Sequence, residues 1–209
     1  FINPAFIITG DSCTFINNHI EFTDSPSGTV TIQAKTIQNS TFSSKKLIDI
    51  TFKAYKFEGC KFNNILANTK TPQSQLMVEN VLIHLCDFQN STIRNHVFGD
   101  NARLVSITKS KLSDTTIAAG NINTDNQFPV ISLLDCEISI DSIVNLFKSD
   151  TNRSYSTFKA EKCKIEISNS TFASLLKSGS GLSTNLLILK ECIFEYTGTG
   201  SLNLSYYDN

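Results

Sequence analysis

A short pattern, Cys-x-Φ with Φ a large apolar residue, recurs eight times along this chain, with Ser in place of Cys at two of the repeats. It reads Cys13-Thr-Phe15, Ser40-Thr-Phe42, Cys60-Lys-Phe62, Cys86-Asp-Phe88, Ser110-Lys-Leu112, Cys136-Glu-Ile138, Cys163-Lys-Ile165 and Cys192-Ile-Phe194. Successive steps are 27, 20, 26, 24, 26, 27 and 29 residues. Self-similarity at such a period marks a repeat architecture, in which each unit buries its apolar face only against its neighbours.

The unit extends upstream, where apolar residues stand five and three positions before the cysteine slot. The pairs are Val81 and Ile83, Val105 and Ile107, Ile131 and Leu133, Phe158 and Ala160, and Leu187 and Leu189. The first repeats follow more loosely, with Ile8 and Gly10, then Tyr55 and Phe57. Alternation with period 2 puts each pair on one face of a strand. The odd offset between this upstream pair and the slot, with Φ two residues beyond it, breaks that parity, so the chain must bend there. A third apolar patch follows at Ile20 and Phe22, Ile65, Ile93, Ile117, Ile143 and Phe172. Asn17, Asn64, Asn90 and Asp114 stand two residues after Φ, where a left-handed bend suits Asn and Asp. In later repeats the same position is apolar (Ile140, Ile167, Tyr196), so the strand runs on before Asp141 or Asn169 turns it.

Three short strands in about 25 residues are too few for a propeller blade, and helical repeats would show a 3.6-residue period. The pattern therefore predicts an all-β right-handed parallel β-helix of about eight rungs, forming one domain over residues 1–209. In its repeat the chain resembles the pectin-lyase-like parallel β-helix family over nearly its whole length. The resemblance concerns the fold, which hosts many functions. It implies secretion or cell-surface display.

All six cysteines occupy the repeat slot: Cys13, Cys60, Cys86, Cys136, Cys163 and Cys192. Their replacement by Ser40 and Ser110 reads as a structural ladder inside the coil that takes a small, weakly polar side chain. Disulfides between neighbouring rungs remain the alternative, since the backbone separation permits them but parallel side chains reach the required torsion poorly. Tetrahedral metal ligation fits badly, because no CxxC or Cys/His pairing is present. No cofactor is expected.

The residue between Cys and Φ points outward, and from the third repeat to the seventh its sign alternates: Lys61, Asp87, Lys111, Glu137, Lys164. The residue before the slot alternates in the later repeats, through Lys109, Asp135, Lys162 and Glu191. Stacked strands would hold opposite charges about 5 Å apart and oppose a one-rung slip.

In the resembling family, lyases use clustered acids for Ca²⁺ with a basic residue, and hydrolases use Asp residues flanking the scissile bond. Asn123–Asp125 is similar to one fragment of the hydrolase pattern, but its double Asp, Gly-His-Gly and Arg-x-Lys partners are missing. His19, His84 and His96 have no catalytic partner at a recognisable spacing. The reading is of a protein that is not an enzyme.

A net charge of −1 without a basic stripe disfavours nucleic acid as a partner. No apolar run approaches a membrane span. The missing initiator Met and the lack of capping helices suggest a segment of a longer chain. Of five Asn-x-Ser/Thr sequons (Asn39, Asn90, Asn152, Asn169, Asn203), about as many as chance supplies, Asn152 in a polar loop is the glycosylation candidate. Glycan recognition would call on Tyr155, Tyr196, Tyr206 or Tyr207, there being no Trp.

Polar insertions at Asp24–Gly28, Lys70–Gln75, Gly99–Arg103, Gly120–Pro129, Ser149–Ser156 and Ser178–Asn185 are expected just before the first strand of a cycle. They would emerge along one edge as a variable flank that binds other proteins. The expected function is structural or adhesive, within an extracellular or surface protein. The alternatives are a polysaccharide-binding or polysaccharide-cleaving protein and a viral or phage fibre segment.

Overall fold

Outward polar and inward apolar residues alternate along short β-branched and aromatic runs, so each run forms a strand that needs a neighbour on both edges. In the computed structural model these neighbours are successive turns of the same chain. The structure describes residues 6–23, 30–70, 79–95, 102–119, 130–143, 145–149, 157–169, 171–178, 186–199 and 205–207. Among them there is no helix, and every strand pairing is parallel. The chain is an all-β parallel solenoid.

Six strands open it: β1 (Phe6–Ile16), β2 (His19–Phe22), β3 (Val30–Gln38), β4 (Thr41–Lys53), β5 (Lys56–Glu58) and β6 (Lys61–Lys70). Five regular three-strand turns follow. They are β7 (Glu79–His84), β8 (Asp87–Gln89) and β9 (Thr92–Asn95); then β10 (Ala102–Thr108), β11 (Lys111–Ser113) and β12 (Thr116–Ala119). Next come β13 (Val130–Leu134), β14 (Glu137–Ile140) and β15 (Asn145–Ser149), then β16 (Thr157–Glu161), β17 (Lys164–Ile167) and β18 (Ser174–Ser178). The last are β19 (Leu186–Lys190), β20 (Ile193–Tyr196) and β21 (Ser205–Tyr207). The expectation of eight like rungs is thus corrected to about five regular turns. Ahead of them β3, β4 and β6 each run through a corner, and the turns merge.

Three interior columns result. The first stacks Phe15, Ile37, Phe57, Ile83, Ile107, Leu133, Ala160 and Leu189. The second stacks Ile20, Phe42, Phe62, Phe88, Leu112, Ile138, Ile165 and Phe194. The third runs through Val30, Ile50, Ala67, Ile93, Ile117, Phe147 and Leu176. Ile143 and Phe172, expected in this third column, lie at the corners that lead into β15 and β18. Longer second-column strands push the bend downstream in those turns, and Phe147 and Leu176 take the inward positions.

The first repeat also shifts. Phe15 pairs with Ile37 in the first column, and Ile20 is the residue in register with Phe42. The slot matching Ser40 is therefore Asn18, and Cys13 falls at a register irregularity between Gly10 and Thr14. Cys13 is exposed, with its thiol 3.0 Å from the Gly10 carbonyl, and is not part of the interior ladder. In this repeat two Φ residues five positions apart compete for one column, and pairing with β3 selects Ile20.

A left-handed residue makes every bend between the first and second columns: Asn17, Asn39, Gly59, Leu85, Lys109, Asp135, Lys162 and Glu191, with φ between 46° and 62°. A second left-handed corner occurs at Asn64, Asn90 and Asp114. Such a conformation costs a residue other than Gly or Asn roughly 1–2 kcal/mol. It persists because the corner keeps the ladder intact: Leu85, Lys109, Asp135 and Lys162 each donate their N–H to a carbonyl of the next turn, at 2.9–3.1 Å.

Candidate functional site

The cysteine slot lies immediately after the first left-handed corner, where the bend turns a side chain inward beneath carbonyls that the ladder leaves with spare acceptor capacity. Cys60, Cys86, Cys136 and Cys163 are buried there and Cys192 is half-buried; all are free thiols. Each sulfur lies within hydrogen-bonding distance of the carbonyl two residues earlier: Glu58 (3.5 Å), His84 (3.4 Å), Leu134 (3.5 Å), Glu161 (3.3 Å) and Lys190 (3.5 Å). Ser40 and Ser110 make the same bond more tightly, at 2.8 and 2.9 Å to Gln38 and Thr108. Each serine also accepts a backbone N–H from the preceding turn, from Asn18 at 3.2 Å and Cys86 at 3.1 Å. The slot therefore selects a small donor that satisfies a buried corner.

A second slot of the same kind went unread in the sequence. Ser91 and Thr115 follow the second left-handed corner, are buried, and donate to the carbonyls of Gln89 (2.7 Å) and Ser113 (3.0 Å). The signal was present as Asn-Ser and Asp-Thr dipeptides, but two instances are too few to stand out as a period.

Neighbouring thiols act on one another. Contact with Cys60 first, and burial second, hold the Cys86 thiol well above the usual range. Cys136 and burial do the same to Cys163. Burial raises Cys192 as well. The same contacts lower the partner thiols Cys60 and Cys136, so each stacked pair is shifted in opposite directions.

On the outer side of the second column, Lys61, Asp87, Lys111, Glu137 and Lys164 stand in register, with Ile193 ending the row. Lys111 pairs with Glu137 at 3.1 Å. Lys164 turns along its own strand to Glu166 and reaches Glu195 of the next turn at 3.4 Å. The alternating row is thus real, but its last lysine is held by a parallel row two residues on. Lys111, Ser113, Glu137, Ile138, Ser139, Lys164 and Glu166 line an open depression of about 400 Å³. Ser139 donates to Ser113 across its floor at 3.0 Å.

The pre-slot residues Lys109, Asp135, Lys162 and Glu191 stand at the first corner in left-handed backbone conformation. On the outer side of the first column, Lys56 pairs with Glu58 at 2.8 Å, and Glu161 is clasped by Lys190 at 2.8 Å and Lys159 at 3.1 Å. That clasp lowers the Glu161 carboxyl to about 2. Glu166 is lowered by Lys164, and Glu58 by Lys56 and then Gln38. Burial would raise Asp114, but the N–H groups of Ser142, Asp141 and Ile143 outweigh it and leave the carboxyl lowered. General-acid work at neutral pH needs a carboxyl shifted upward; these four are shifted downward.

His19 lies exposed on β2, and His84 Nδ1 is 2.8 Å from Thr108 Oγ1. His96, Asn123–Asp125, Asn152 and Tyr155 lie outside the described residues, as do the side chains of Tyr206 and Tyr207. Among the described residues, no three His, Cys, Asp or Glu side chains converge as a metal site, and no helix is long and apolar enough to cross a membrane.

The strands fix where the intervening segments leave and return. Those between β6 and β7, β9 and β10, β12 and β13, β15 and β16, and β18 and β19 all depart from the third column and rejoin at the first. The sixth, Asp24–Gly28, is corrected: it joins β2 of the second column to the start of β3, which pairs in the third. The interiors of these segments lie outside the described residues. No protein-family model and no curated protein matches the chain.

Proposed function

We propose that this chain is a non-catalytic structural or adhesive module of an extracellular or cell-surface protein, a pectin-lyase-like parallel β-helix acting as a rigid spacer. Its partners are other proteins, met along one flank. The observation that carries this reading is the convergence of five variable segments on a single edge. Segments that leave the third column and rejoin at the first can differ in length without disturbing the stack. The paired charges support it, because carboxylates already engaged by lysines serve register and solubility rather than proton transfer.

Cross-linking mass spectrometry on the native material tests the reading. Stoichiometric links from the flank, for instance through Lys70, to other proteins are the expected result. Cleavage of a uronic-acid polymer by the purified chain, abolished by Asp125→Asn, would overturn it.

A second reading, glycan binding, is favoured by the depression lined by Lys111, Ser113, Glu137, Ser139, Lys164 and Glu166, whose donors and acceptors alternate along the stack. Retention on immobilised polysaccharide that is lost in Ser139→Phe would move the assignment there. A fibre segment would instead run as a trimer in solution.

A further inference from the structure

We propose that Asn90 carries an N-linked glycan, attached at the outer edge of the corner between the second and third columns. The inference rests on the extracellular reading and names a modification that belongs with it. It follows from what the fold does to three sequons that look alike in the sequence.

Asn169, in Asn169-Ser170-Thr171, is buried and held at both ends of its amide. Its Nδ2 donates to the Ile143 carbonyl at 2.9 Å, and its Oδ1 accepts from the Thr171 N–H at 2.9 Å and hydroxyl at 2.8 Å. A sugar on that nitrogen would displace the corner that leads into β18.

Asn39, in Asn39-Ser40-Thr41, is exposed but crowded by the next turn. Its Oδ1 lies where a methyl on Gly59 would come within 2.5 Å.

Asn90, in Asn90-Ser91-Thr92, is exposed, with φ 46° and its backbone N–H bonded to the Ser113 carbonyl at 3.0 Å. Its corner neighbours use their side chains to tie turns together. Asn64 Nδ2 donates to the Ser44 carbonyl at 2.7 Å, and Asp114 Oδ1 accepts from the Asp141 and Ser142 N–H groups at 2.7 Å each. The Asn90 amide instead stands at the surface while the backbone and the buried Ser91 hydroxyl hold the corner beneath it. A bulky polar group there meets solvent and leaves the ladder untouched.

The donor is a lipid-linked oligosaccharide pyrophosphate. Asn90 Nδ2 forms a C–N bond to the anomeric carbon as the C–O bond to pyrophosphate breaks. The lipid pyrophosphate leaves with the electron pair, and one amide proton passes to base. Transfer precedes folding, so the fold decides which occupied sequon is compatible with the finished solenoid.

The test is peptide mapping of the native protein after enzymatic deglycosylation in ¹⁸O water, which leaves a marked aspartate wherever a glycan stood. A mark at Asn90 with Asn169 unmarked is the expected result. A mark at Asn169 overturns the proposal. So does an unmarked Asn90 in extracellular material, which leaves the extracellular reading standing. An unmarked Asn90 in material confined to the cell overturns both. In chain secreted from eukaryotic cells, Asn90→Asp, which keeps a residue at ease in the left-handed corner, and Thr92→Ala, which keeps Asn90 itself, should each remove one glycan without loss of secretion. An unchanged glycan count in both variants overturns the assignment.

Discussion

The rings of Phe62 and Phe88 lie one above the other, centroids 4.4 Å apart and planes within 5°. They belong to successive turns, and their contact follows from register: residues in the same slot of a parallel stack repeat at about the strand spacing. Phe42 continues the pile at 5.3 Å, and Phe15 borders it at 6.1 Å although it stands in the first column. Phe52 meets both Phe42 and Phe62 edge-on, at 5.0 and 5.6 Å. The aromatic core is therefore concentrated where the N-terminal turns merge.

Phe62→Ala should destabilise the chain by about 3–5 kcal/mol, since the turns above and below cannot close over the void. Phe62→Leu should cost far less, because Leu112 already fills the same slot two turns on. Denaturant midpoints compare the two, and near-equal losses would show that the column requires the stacked ring and not merely an apolar side chain of similar volume.

Ser110 bridges two turns, donating to Thr108 and accepting from the Cys86 N–H, and it is buried. Ser110→Ala strands that N–H and should cost about 1–3 kcal/mol. Ser110→Cys restores a donor native to the slot and should cost less. A cysteine variant no better than alanine would contradict the account of the slot as a corner-satisfying donor.

Gly59 has φ 62°, and a methyl added there would come within 2.5 Å of Asn39 Oδ1. Gly59→Ala should lose about 1–2 kcal/mol from backbone strain alone. The strained lysine at the equivalent corner predicts the opposite sign: Lys162→Gly should leave stability unchanged or raise it, against the usual cost of introducing glycine. Thermal unfolding of both variants checks the pair.

Glu161 has a folded-state pKa depressed to about 2 by Lys190 and Lys159. A depressed carboxyl contributes stability above its unfolded pKa, near 4.3, and loses it as pH falls toward 2. Urea midpoints should therefore decline across that window. Glu161→Gln should be less stable at pH 7 and show a shallower decline, and parallel pH curves for the two proteins would refute the coupling.

Alkylation of the native, unreduced protein should label Cys13 rapidly, Cys192 slowly and the four buried thiols only on unfolding. Fewer than six thiols in denaturant without reductant would instead reveal a bridge between turns.

Much of this was legible in the sequence because a solenoid repeats its chemistry at sequence distances short enough to see. Period-2 alternation marked the strands, and the spacing of Cys-x-Φ marked the turn. The sign alternation from Lys61 to Lys164 anticipated their register. The bends at Asn64, Asn90 and Asp114 were readable too, since Asn and Asp advertise a left-handed backbone.

The first-corner bends at Leu85, Lys109 and Lys162 were not readable, because those side chains prefer right-handed backbone and adopt the other while their N–H groups are bonded to the next turn. Cys13 was likewise misplaced, as the local motif is satisfied equally well five residues earlier and only pairing with β3 decides between Phe15 and Ile20. What the sequence determined by itself is the repeating unit and its inward face, which depend on local alternation. What only the tertiary structure decided is the register of the first turn, the merging of the early turns and the strained corners, each held by hydrogen bonds to a turn some 20–30 residues away.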